Sequence, residues 1–402
     1  MTKPMARTQA PPPKPPSGKD NRRFLRLTFA VLGKRQAVHE LDDGFEIEFA
    51  NEDALAAEVE AAAEHWRTGL PVYDVELDRP APPEPIRFRI KGPPEALGQV
   101  EQMLRNTTEG SQLSKGLDYR LTLRGRLQHR SEVAWRLATA PLRALPDFVI
   151  IGAAKCGTSA LYSHLTLHPS VEHALRKEVY FFDHKSRRGL TYYRSFFPLR
   201  SKMRQLRAAD ANGVARTGEA TPCYLFHPHV PRRRAAAGPN AKLIAVLRNP
   251  AARAYSDYCM KVRYGLETLS FEQAIEREPE RVEGELEKML ADEHYFSAER
   301  WHHSYLGRGR YAEQLERWFE HYPREQVLVM AAEEFFGDPT PAYHRVTEFL
   351  GLEPWAPETS RKTNTLPYPK ADKAMRARLV EYFRPHNERL FELLGQRFDW
   401  DR

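Results

Sequence analysis

Residues 146–165, PDFVIIGAAKCGTSALYSHL, form the stretch that most restricts how this chain can fold. Four consecutive apolar residues at 148–151 are typical of a buried parallel strand. A turn of small residues follows, and an apolar, helix-like run begins after Thr158 and Ser159. The free N–H groups and the dipole of a helix N-terminus favour anions, and Lys155 adds a full positive charge. The sequence therefore predicts a cradle for a phosphate or sulfate group.

The order of residues in this turn differs from the common nucleotide-binding loop. That loop is G-x-x-x-x-G-K-[ST], with the lysine directly before the hydroxyl residue. Here the lysine lies before the second glycine, and the turn runs Gly152, Ala153, Ala154, Lys155, Cys156, Gly157, Thr158, Ser159. A tight strand-to-helix turn with a surface lysine is the alternative interpretation, so the loop alone does not decide.

The composition indicates the class of protein. The chain has 402 residues, 41% hydrophobic and 29% charged, which is ordinary for a globular protein of two or three domains. The net charge of +7 suits an acidic ligand or polymer, although solvated surface charge gives the same balance. Cys156, Cys223 and Cys259 fit no disulfide framework or metal spacing. Because no apolar run reaches the length of a membrane span or resembles a signal core, we expect a cytoplasmic protein.

The chain before residue 146 predicts a separate region. Residues 1–21 contain a cluster of prolines and predict a disordered tail. Residues 22–128 predict a small α+β domain, and residues 129–145 predict a connecting helix. Strands are predicted at 24–32, 45–49, 72–77, 86–90 and 119–123, and helices at 54–66 and 94–104. We interpret this domain as a scaffold or docking domain, with an acceptor-binding domain as the alternative.

From residue 146 to residue 402 strands alternate with helices, which predicts an α/β fold with a central parallel sheet flanked by helices. A second buried strand at 242–247 leads directly into Arg248, and the helix predicted at 251–260 carries Ser256 two turns in. Ligands of such sheets bind at the carboxyl ends of the strands, and the arginine fork can bond two oxygens of a phosphate. We therefore predict an anion contact at Arg248.

Two carboxylates, Glu178 and Asp183, bracket the aromatic run of KEVYFFD at residues 177–183. A carboxylate beside apolar rings is partly desolvated, which raises its affinity for a proton and suits a general base. The alternative is a surface carboxylate paired with Arg176 or Lys177.

Four segments occur in the order PDFVIIGAAKCGTSALYSHLTLHPSV, KEVYFFD, GEATPCYL and KLIAVLRNPAARAYSDY. This set resembles the sulfotransferases that use 3′-phosphoadenosine 5′-phosphosulfate (PAPS). It most resembles the branch that contains the heparan sulfate sulfotransferases and their bacterial relatives. The likeness covers about residues 146–402 and leaves the N-terminal domain outside. It implies a P-loop-like sulfotransferase fold.

The resemblance also implies which residues bind PAPS. Lys155 would contact the 5′-phosphosulfate and steady the bridging oxygen as it leaves. Arg248 and Ser256 match the pair that holds the 3′-phosphate in the family. The other implied contacts belong to the loop and to a segment that covers the nucleotide: Gly152, Cys156, Gly157, Thr158, Ser159, Lys362 and Thr363.

For the acceptor, the resemblance implies that Glu178 acts as the base and that Asp183 belongs to the acceptor site. We expect in-line transfer to a hydroxyl or amine of a small-molecule or glycan acceptor, with no metal and no nucleic-acid partner. The heparan branch usually has Glu-Lys-[TS]-Pro where this chain has Ala220 in place of the lysine. That lost charge, the missing C-terminal cysteines and the missing anchor of Golgi relatives indicate a bacterial-type enzyme with a different acceptor.

Two other classes of function stay open at this point. A P-loop kinase would need Lys-[ST] after the glycine and a carboxylate for Mg²⁺ at a strand end, and neither is evident. A non-catalytic protein could keep the nucleotide fold and recruit a partner through its N-terminal domain. The retained Lys155, Glu178, Arg248 and Ser256 argue against a decayed site.

Overall fold

The computed structural model describes residues 31–32, 34–69, 73–92, 97, 100, 104, 123–264, 266–336, 338–357 and 372–400. The chain divides into two units, Met1–Arg130 and Ser131–Arg402. The predicted tail at 1–21 lies outside the described residues, as do Lys362 and Thr363. Three other predicted elements lie mostly outside the described residues: the strand at 24–32, the helix at 94–104 and the strand at 119–123.

The N-terminal unit contains an antiparallel sheet of four strands in the order β1-β2-β4-β3. Alternate residues of β2, Phe45, Ile47 and Phe49, are buried and pack in one core with Trp66 of the helix α1. The predictions of a strand at 45–49, a helix at 54–66 and a strand at 86–90 are confirmed. The elements are β1 (Arg35–Leu41), β2 (Gly44–Phe49), α1 (Asp53–Gly69), β3 (Asp74–Asp78) and β4 (Ile86–Lys91).

Two predictions for this region are wrong in detail. The first described strand is β1, and Val31 and Leu32 are helical rather than extended. As an edge strand with mostly exposed or half-buried residues, β1 lacks the alternating apolar signal that marks a strand. Leu123 begins the helix α2 (Leu123–Ala138), which ends well before residue 145. Pro141 explains that end, because its ring and missing N–H cannot continue a helix.

The C-terminal unit is built on a five-stranded sheet in the order β6-β7-β5-β8-β9, in which every pairing is parallel. The predicted strands at 148–151 and 242–247 are confirmed as β5 and β8. Residues 148–151 of β5 are all fully buried, because both faces of the sheet are covered. The strands are β5 (Phe148–Gly152), β6 (Val171–His173), β7 (Arg216–Ala220), β8 (Lys242–Leu247) and β9 (Val327–Ala331).

Helices connect and flank these strands. None of the helices in the described part of the chain has the length and the apolar character needed to cross a bilayer. In chain order the helices are α3 (Thr158–Leu165), α4 (Phe181–His184), α5 (Gly189–Arg194), α6 (Arg200–Ala209), α7 (Val230–Ala237), α8 (Pro250–Arg263), α9 (Phe271–Val282), α10 (Glu285–Ala291), α11 (Ala298–His303), α12 (Tyr311–Phe319), α13 (Thr340–Leu350) and α14 (Lys373–Leu394).

The strand order creates a topological switch point beside β5. The strands β7 and β8 flank β5 on opposite sides, although both follow it in the chain. Open α/β sheets bind ligands outside the carboxyl ends of the strands at such a point. The segment that leaves β5 carries Lys155, the segment that leaves β7 begins with Thr221, and the segment that leaves β8 begins with Arg248.

Packing inside this sheet predicts a sensitive position at Gly218 of β7. A Cβ atom there would lie 2.4 Å from Cζ of Phe148. Because the buried ring has no room to move, we expect Gly218→Ala to lower the free energy of unfolding by about 1–3 kcal/mol. Denaturant unfolding monitored by tryptophan fluorescence measures the change. Gly307→Ala is the control, since its nearest new contact would be an ordinary 3.5 Å. Equal stability of both variants would contradict the prediction.

Candidate functional site

The loop between β5 and α3 has the geometry that its glycines predict. Gly157 precedes α3 with φ of 84°, a left-handed conformation that glycine adopts without strain. A Cβ atom at Gly152 would lie 2.5 Å from Cβ of Leu225, so the neighbouring chain can approach only a glycine. Lys155 also has a positive φ, of 72°. Such a conformation costs roughly 1–3 kcal/mol outside glycine and is concentrated at ligand-binding sites.

Lys155 lies in a partly buried, positively charged setting. Its Nζ is 3.6 Å from Sδ of Met260 on α8. Burial lowers the pKa of Lys155, the carboxylate of Asp257 opposes this, and the guanidinium groups of Arg263 and Arg248 lower the pKa further. The charges of Lys155 and Arg248 are therefore close enough to interact. The two residues follow β5 and β8, which are neighbouring strands of the sheet.

A buried tyrosine joins the loop to the turn at Arg248. The Tyr311 hydroxyl donates a hydrogen bond of 2.9 Å to the carbonyl of Arg248 and lies 3.9 Å from Sγ of Cys156. Burial raises the pKa of Cys156 to about 12, so this thiol stays protonated and packs as part of the loop. Thr158 is also buried, whereas Ser159 is half-buried and Gly157 is exposed. No role is predicted for Tyr311 from the sequence.

The turn after β8 is held by Asn249. Its side chain accepts a hydrogen bond of 3.0 Å from the N–H of Ala252 and so caps α8. Its Nδ2 donates to the carbonyl of Trp400 at 2.8 Å. Arg248 is half-buried beside this cap, and Ser256 is buried on α8 as the sequence predicts. The turn is therefore fixed on two sides before any ligand binds.

Glu178 lies on a strained segment beside the end of β7. Its φ is 62°, and its N–H donates to the carbonyl of Ala220 at 3.0 Å. The carboxylate forms an ion pair with Lys177, Nζ to Oε1 at 2.5 Å, and accepts a hydrogen bond from the Tyr180 hydroxyl. Its side chain is 30% exposed. Glu178 therefore has the Lys177 partner that the interpretation as a surface carboxylate expects. It also has the aromatic neighbour that the interpretation as a general base expects.

Asp183 has a buried carboxyl group on α4. Its side chain is fully buried, and neither oxygen accepts a hydrogen bond from the residues that the structure describes. Burial raises the pKa of Asp183 to about 7. The backbone amides of Asp183 and His184 oppose this shift, and the charge of Glu219 adds to it. The nearest basic group is Nε2 of His184 at 3.7 Å, and burial lowers the pKa of that histidine to about 4.

Charges from four separate elements meet around Cys223, in the loop after β7. Burial raises the pKa of Cys223 to about 11, Arg308 and Lys261 lower it, and Asp183 and Glu178 raise it. A pocket lies beside this thiol. Its walls are mainly aromatic and basic: His184, Cys223, Phe226, His227, Pro228, Met289, Phe296, Ser297, Arg300, Trp301 and Arg308.

Sequence reasoning missed Lys261, Arg308 and Trp301, which contribute to this region. The Arg308 guanidinium lies 4.7 Å from the ring centre of Phe226 and 5.6 Å from that of Trp301. Trp301 in turn packs on Tyr180, with ring centres 6.0 Å apart. The three residues lie outside the local motifs: Lys261 is on α8, Trp301 is on α11, and Arg308 is in the turn that follows α11. Lys261 directly follows the helix predicted at 251–260 and carried no distinguishing pattern.

Metal-ligand spacing occurs once among the described residues, at His39, Glu46 and Glu48 of the N-terminal unit. Their ligand atoms lie within 4.8 Å of one another. Glu46 already pairs with Arg89 at 2.5 Å, and Glu48 lies 3.8 Å from Arg87. These carboxylates are therefore matched by cross-strand arginines. That no metal takes part in the reaction stays a prediction.

Residues 145–400, more than half of the chain, match the family model described as a sulfotransferase domain. The chain belongs to this sulfotransferase family. It is 32% identical over 289 residues to heparan sulfate glucosamine 3-O-sulfotransferase 6 of Homo sapiens, covering 66% of this chain and 76% of that protein. It is also 25% identical to the membrane-associated sulfotransferase kil1 of Dictyostelium discoideum, over 64% of this chain and 67% of that protein.

A solved sulfotransferase from Alicyclobacillus acidocaldarius is similar as well. It is 31% identical, covers 64% of this chain and all of that chain, and has a TM-score of 0.47. By its family this chain is an enzyme that transfers a sulfuryl group. Family membership decides against the kinase alternative. The N-terminal unit lies outside the family match.

The buried carboxyl of this sulfotransferase predicts a pH-dependent stability. Asp183 holds its proton up to about pH 7 when folded but only to about 3.8 when unfolded. Folding therefore binds a proton between these values, and stability falls as the pH rises through that window. We expect the free energy of unfolding of Asp183→Asn, relative to wild type, to rise by the order of 4 kcal/mol from pH 4 to pH 8.

Denaturant unfolding at the two pH values measures this difference. The exposed Asp292 provides the control variant, Asp292→Asn, whose difference from wild type should not depend on pH. A pH-independent difference for Asp183→Asn would show that its carboxyl is ionised in the folded protein.

Proposed function

We propose that this sulfotransferase moves the sulfuryl group of PAPS to a hydroxyl or amine of a saccharide by in-line displacement. The observation that carries the proposal is the tie made by Tyr311, which joins the loop of Lys155 to the turn of Arg248. One bound nucleotide could then contact both groups, with its sulfuryl group directed towards Glu178. The family match supports the reaction type.

The donor end of the site suits a nucleotide with phosphate groups at both ends. Lys155 and the N–H groups that lead into α3 would hold the 5′-phosphosulfate, together with Thr158 and Ser159. Arg248 and Ser256 would hold the 3′-phosphate, since a guanidinium can bond two phosphate oxygens at once. The capped turn and the tyrosine tie would keep these groups in position before binding, which reduces the entropy lost when the donor binds.

The chemical step needs a proton acceptor and a stabilised leaving group. The acceptor oxygen or nitrogen bonds to sulfur while the bond from sulfur to the bridging oxygen breaks, releasing 3′-phosphoadenosine 5′-phosphate (PAP). Glu178 would take the proton, held in orientation by the Tyr180 hydroxyl and Lys177. Lys155 would stabilise the negative charge that develops on the leaving phosphate. A positioned base contributes roughly 10²–10⁴-fold to such a rate.

For the acceptor, we propose a glycan. Several similar enzymes are named for heparan sulfate glucosamine, and the pocket beside Cys223 offers aromatic faces for sugar rings with arginines for acidic groups. Asp183 would hydrogen-bond an acceptor hydroxyl, because its oxygens have no partner among the described residues. Ala220 in place of the expected lysine favours an acceptor that differs from heparan sulfate. A cytoplasmic location and a bacterial type remain predictions.

A transfer assay tests the function directly. The protein is incubated with ³⁵S-labelled PAPS and a panel of heparan sulfate, N-sulfated heparosan, chondroitin and a phenol, and labelled products are counted. Transfer to a glycan supports the proposal, and transfer only to the phenol overturns the acceptor class. A wild-type protein that binds neither PAP nor PAPS would overturn the donor assignment and revive a non-catalytic role.

Glu178→Gln separates the base from donor binding. The amide keeps the shape of the side chain but cannot take a proton, so we expect the transfer rate to fall about 10²–10⁴-fold. PAP affinity, measured by calorimetry, should change little. Glu172→Gln is the control, because Glu172 is similarly exposed at 27% and pairs with Lys202. Full turnover in Glu178→Gln would remove this residue from the role of base.

Arg248→Ala tests how the 3′-phosphate is held. Loss of charged hydrogen bonds should weaken PAP binding about 10- to 100-fold. Adenosine 5′-phosphate, which lacks the 3′-phosphate, should lose far less affinity. Calorimetric titration with both nucleotides gives the comparison, and Arg277→Ala, at a side chain 62% exposed, is the control. Equal losses for both nucleotides would refute the assignment.

A further inference from the structure

Lys261, in the last turn of α8, is a buried ammonium group without a carboxylate partner. The residue is 7% exposed, and no carboxylate among the described residues lies within ion-pair distance of it. Its Nζ lies 3.4 Å from the carbonyl oxygen of Trp301 and 3.5 Å from Nδ1 of His302. Both contacts are near the outer limit of hydrogen bonding. The charge is therefore poorly compensated by the protein.

The nearest candidate partner is already engaged. Asp257 lies one turn earlier on α8, but its Oδ2 accepts a hydrogen bond of 3.0 Å from the buried Arg253. Burial lowers the pKa of Lys261, Asp257 opposes this, and the charges of Arg308 and Lys155 lower the pKa further. An uncompensated buried charge costs several kcal/mol. Its retention beside two other cations is explained most simply by an anionic ligand that neutralises them.

The position of Lys261 indicates which part of a ligand it would meet. Met260, the residue before it on α8, accepts a contact from Nζ of Lys155 at its Sδ, 3.6 Å away. Trp301, whose carbonyl oxygen lies 3.4 Å from Nζ of Lys261, packs on Tyr180. The Tyr180 hydroxyl in turn donates to Glu178. The neighbours of Lys261 therefore contact both the group proposed to hold the leaving phosphate and the segment of the group proposed to take the proton. In the proposed function, the sulfuryl group passes between these two groups.

We propose that Lys261 binds the sulfuryl oxygens of PAPS and stabilises their charge during transfer. This inference rests on the proposed function. As sulfur moves from the bridging oxygen to the acceptor, the sulfuryl oxygens stay negatively charged, and an ammonium beside them lowers the barrier by electrostatic stabilisation. Ala220, at the position where the branch usually has a lysine, ends β7 three residues before Cys223. Lys261 supplies the charge from a helix instead.

A purely structural role makes a different prediction. The ammonium of Lys261 lies near the carbonyl of Trp301, in the last turn of α11, where a cation stabilises the negative end of a helix. If that were its whole function, replacing it would lower thermal stability and would affect all donor nucleotides alike. Only a contact with the sulfuryl group separates PAPS from PAP.

The test is a comparison of PAPS and PAP binding without an acceptor. Calorimetric titrations are performed on wild type, Lys261→Met and Lys261→Arg. Methionine keeps an unbranched side chain of similar length, so packing is retained. We expect Lys261→Met to weaken PAPS binding about 10-fold or more, the value of one charged hydrogen bond, and to change PAP binding less than about twofold. Lys261→Arg should recover part of the PAPS affinity.

Transfer assays add a second measurement. Lys261→Met should reduce kcat more than it raises KM for the acceptor, whereas Lys288→Met, an exposed lysine paired with Glu285, should change neither. If PAP and PAPS lose affinity equally, or neither loses any, the inference is overturned while the proposed function stands. If wild type binds neither nucleotide, the proposed function fails as well. If Lys261→Met proves less stable than wild type, the ratio of PAPS affinity to PAP affinity still tests the inference. That ratio does not depend on the fraction of protein that is folded.

Discussion

The parallel pairing of β5 with β8 is the constraint on which the rest of the site depends. It aligns Val149 with Leu243 and Ile150 with Ile244, and the N–H of Ala153 extends it by donating to the carbonyl of Val246 at 2.7 Å. Parallel strands end at the same edge, so the loop after β5 and the turn after β8 must emerge side by side. A one-residue slip would move one of these loops by about 3.3 Å relative to the other. Register therefore fixes the spacing of the two anion contacts.

The sequence predicts those parts of the fold that leave a local signal. The strands β5 and β8 are apolar runs because both of their faces are buried, and Gly157 marks a turn that needs a positive φ. The edge strand β1 leaves no such signal, since most of its residues are exposed. Of the strands predicted at 24–32 and 119–123, the described residues 31–32 and 123 are helical, so a short sequence pattern alone does not separate strands from helix ends.

The site divides in the same way. Lys155 and Arg248 were predictable because they stand beside strand ends within recognisable motifs. Tyr311 and Lys261 were not, because their importance arises from what packs against them: a carbonyl and a thiol in one case, and the carbonyl of Trp301 in the other. No local pattern records whether a lysine on a helix is solvated or buried. Only the tertiary packing of α8 and α11 decides that.

Three carboxylates near the ends of β7 and α4 show how burial alone fails to identify function. Glu219 is fully buried, but it accepts hydrogen bonds of 2.6 Å from both Tyr193 and Thr221. A satisfied group of this kind holds elements together and has no capacity left for a ligand. The Asp183 side chain is also buried, but neither of its oxygens accepts a hydrogen bond from the described residues, and His184 Nε2 lies 3.7 Å away. Glu178 is partly exposed, with a polar contact on each oxygen. Unused hydrogen-bonding capacity at Asp183 and exposure to solvent at Glu178, rather than burial, therefore distinguish the two candidates for chemistry from the one that stabilises the fold.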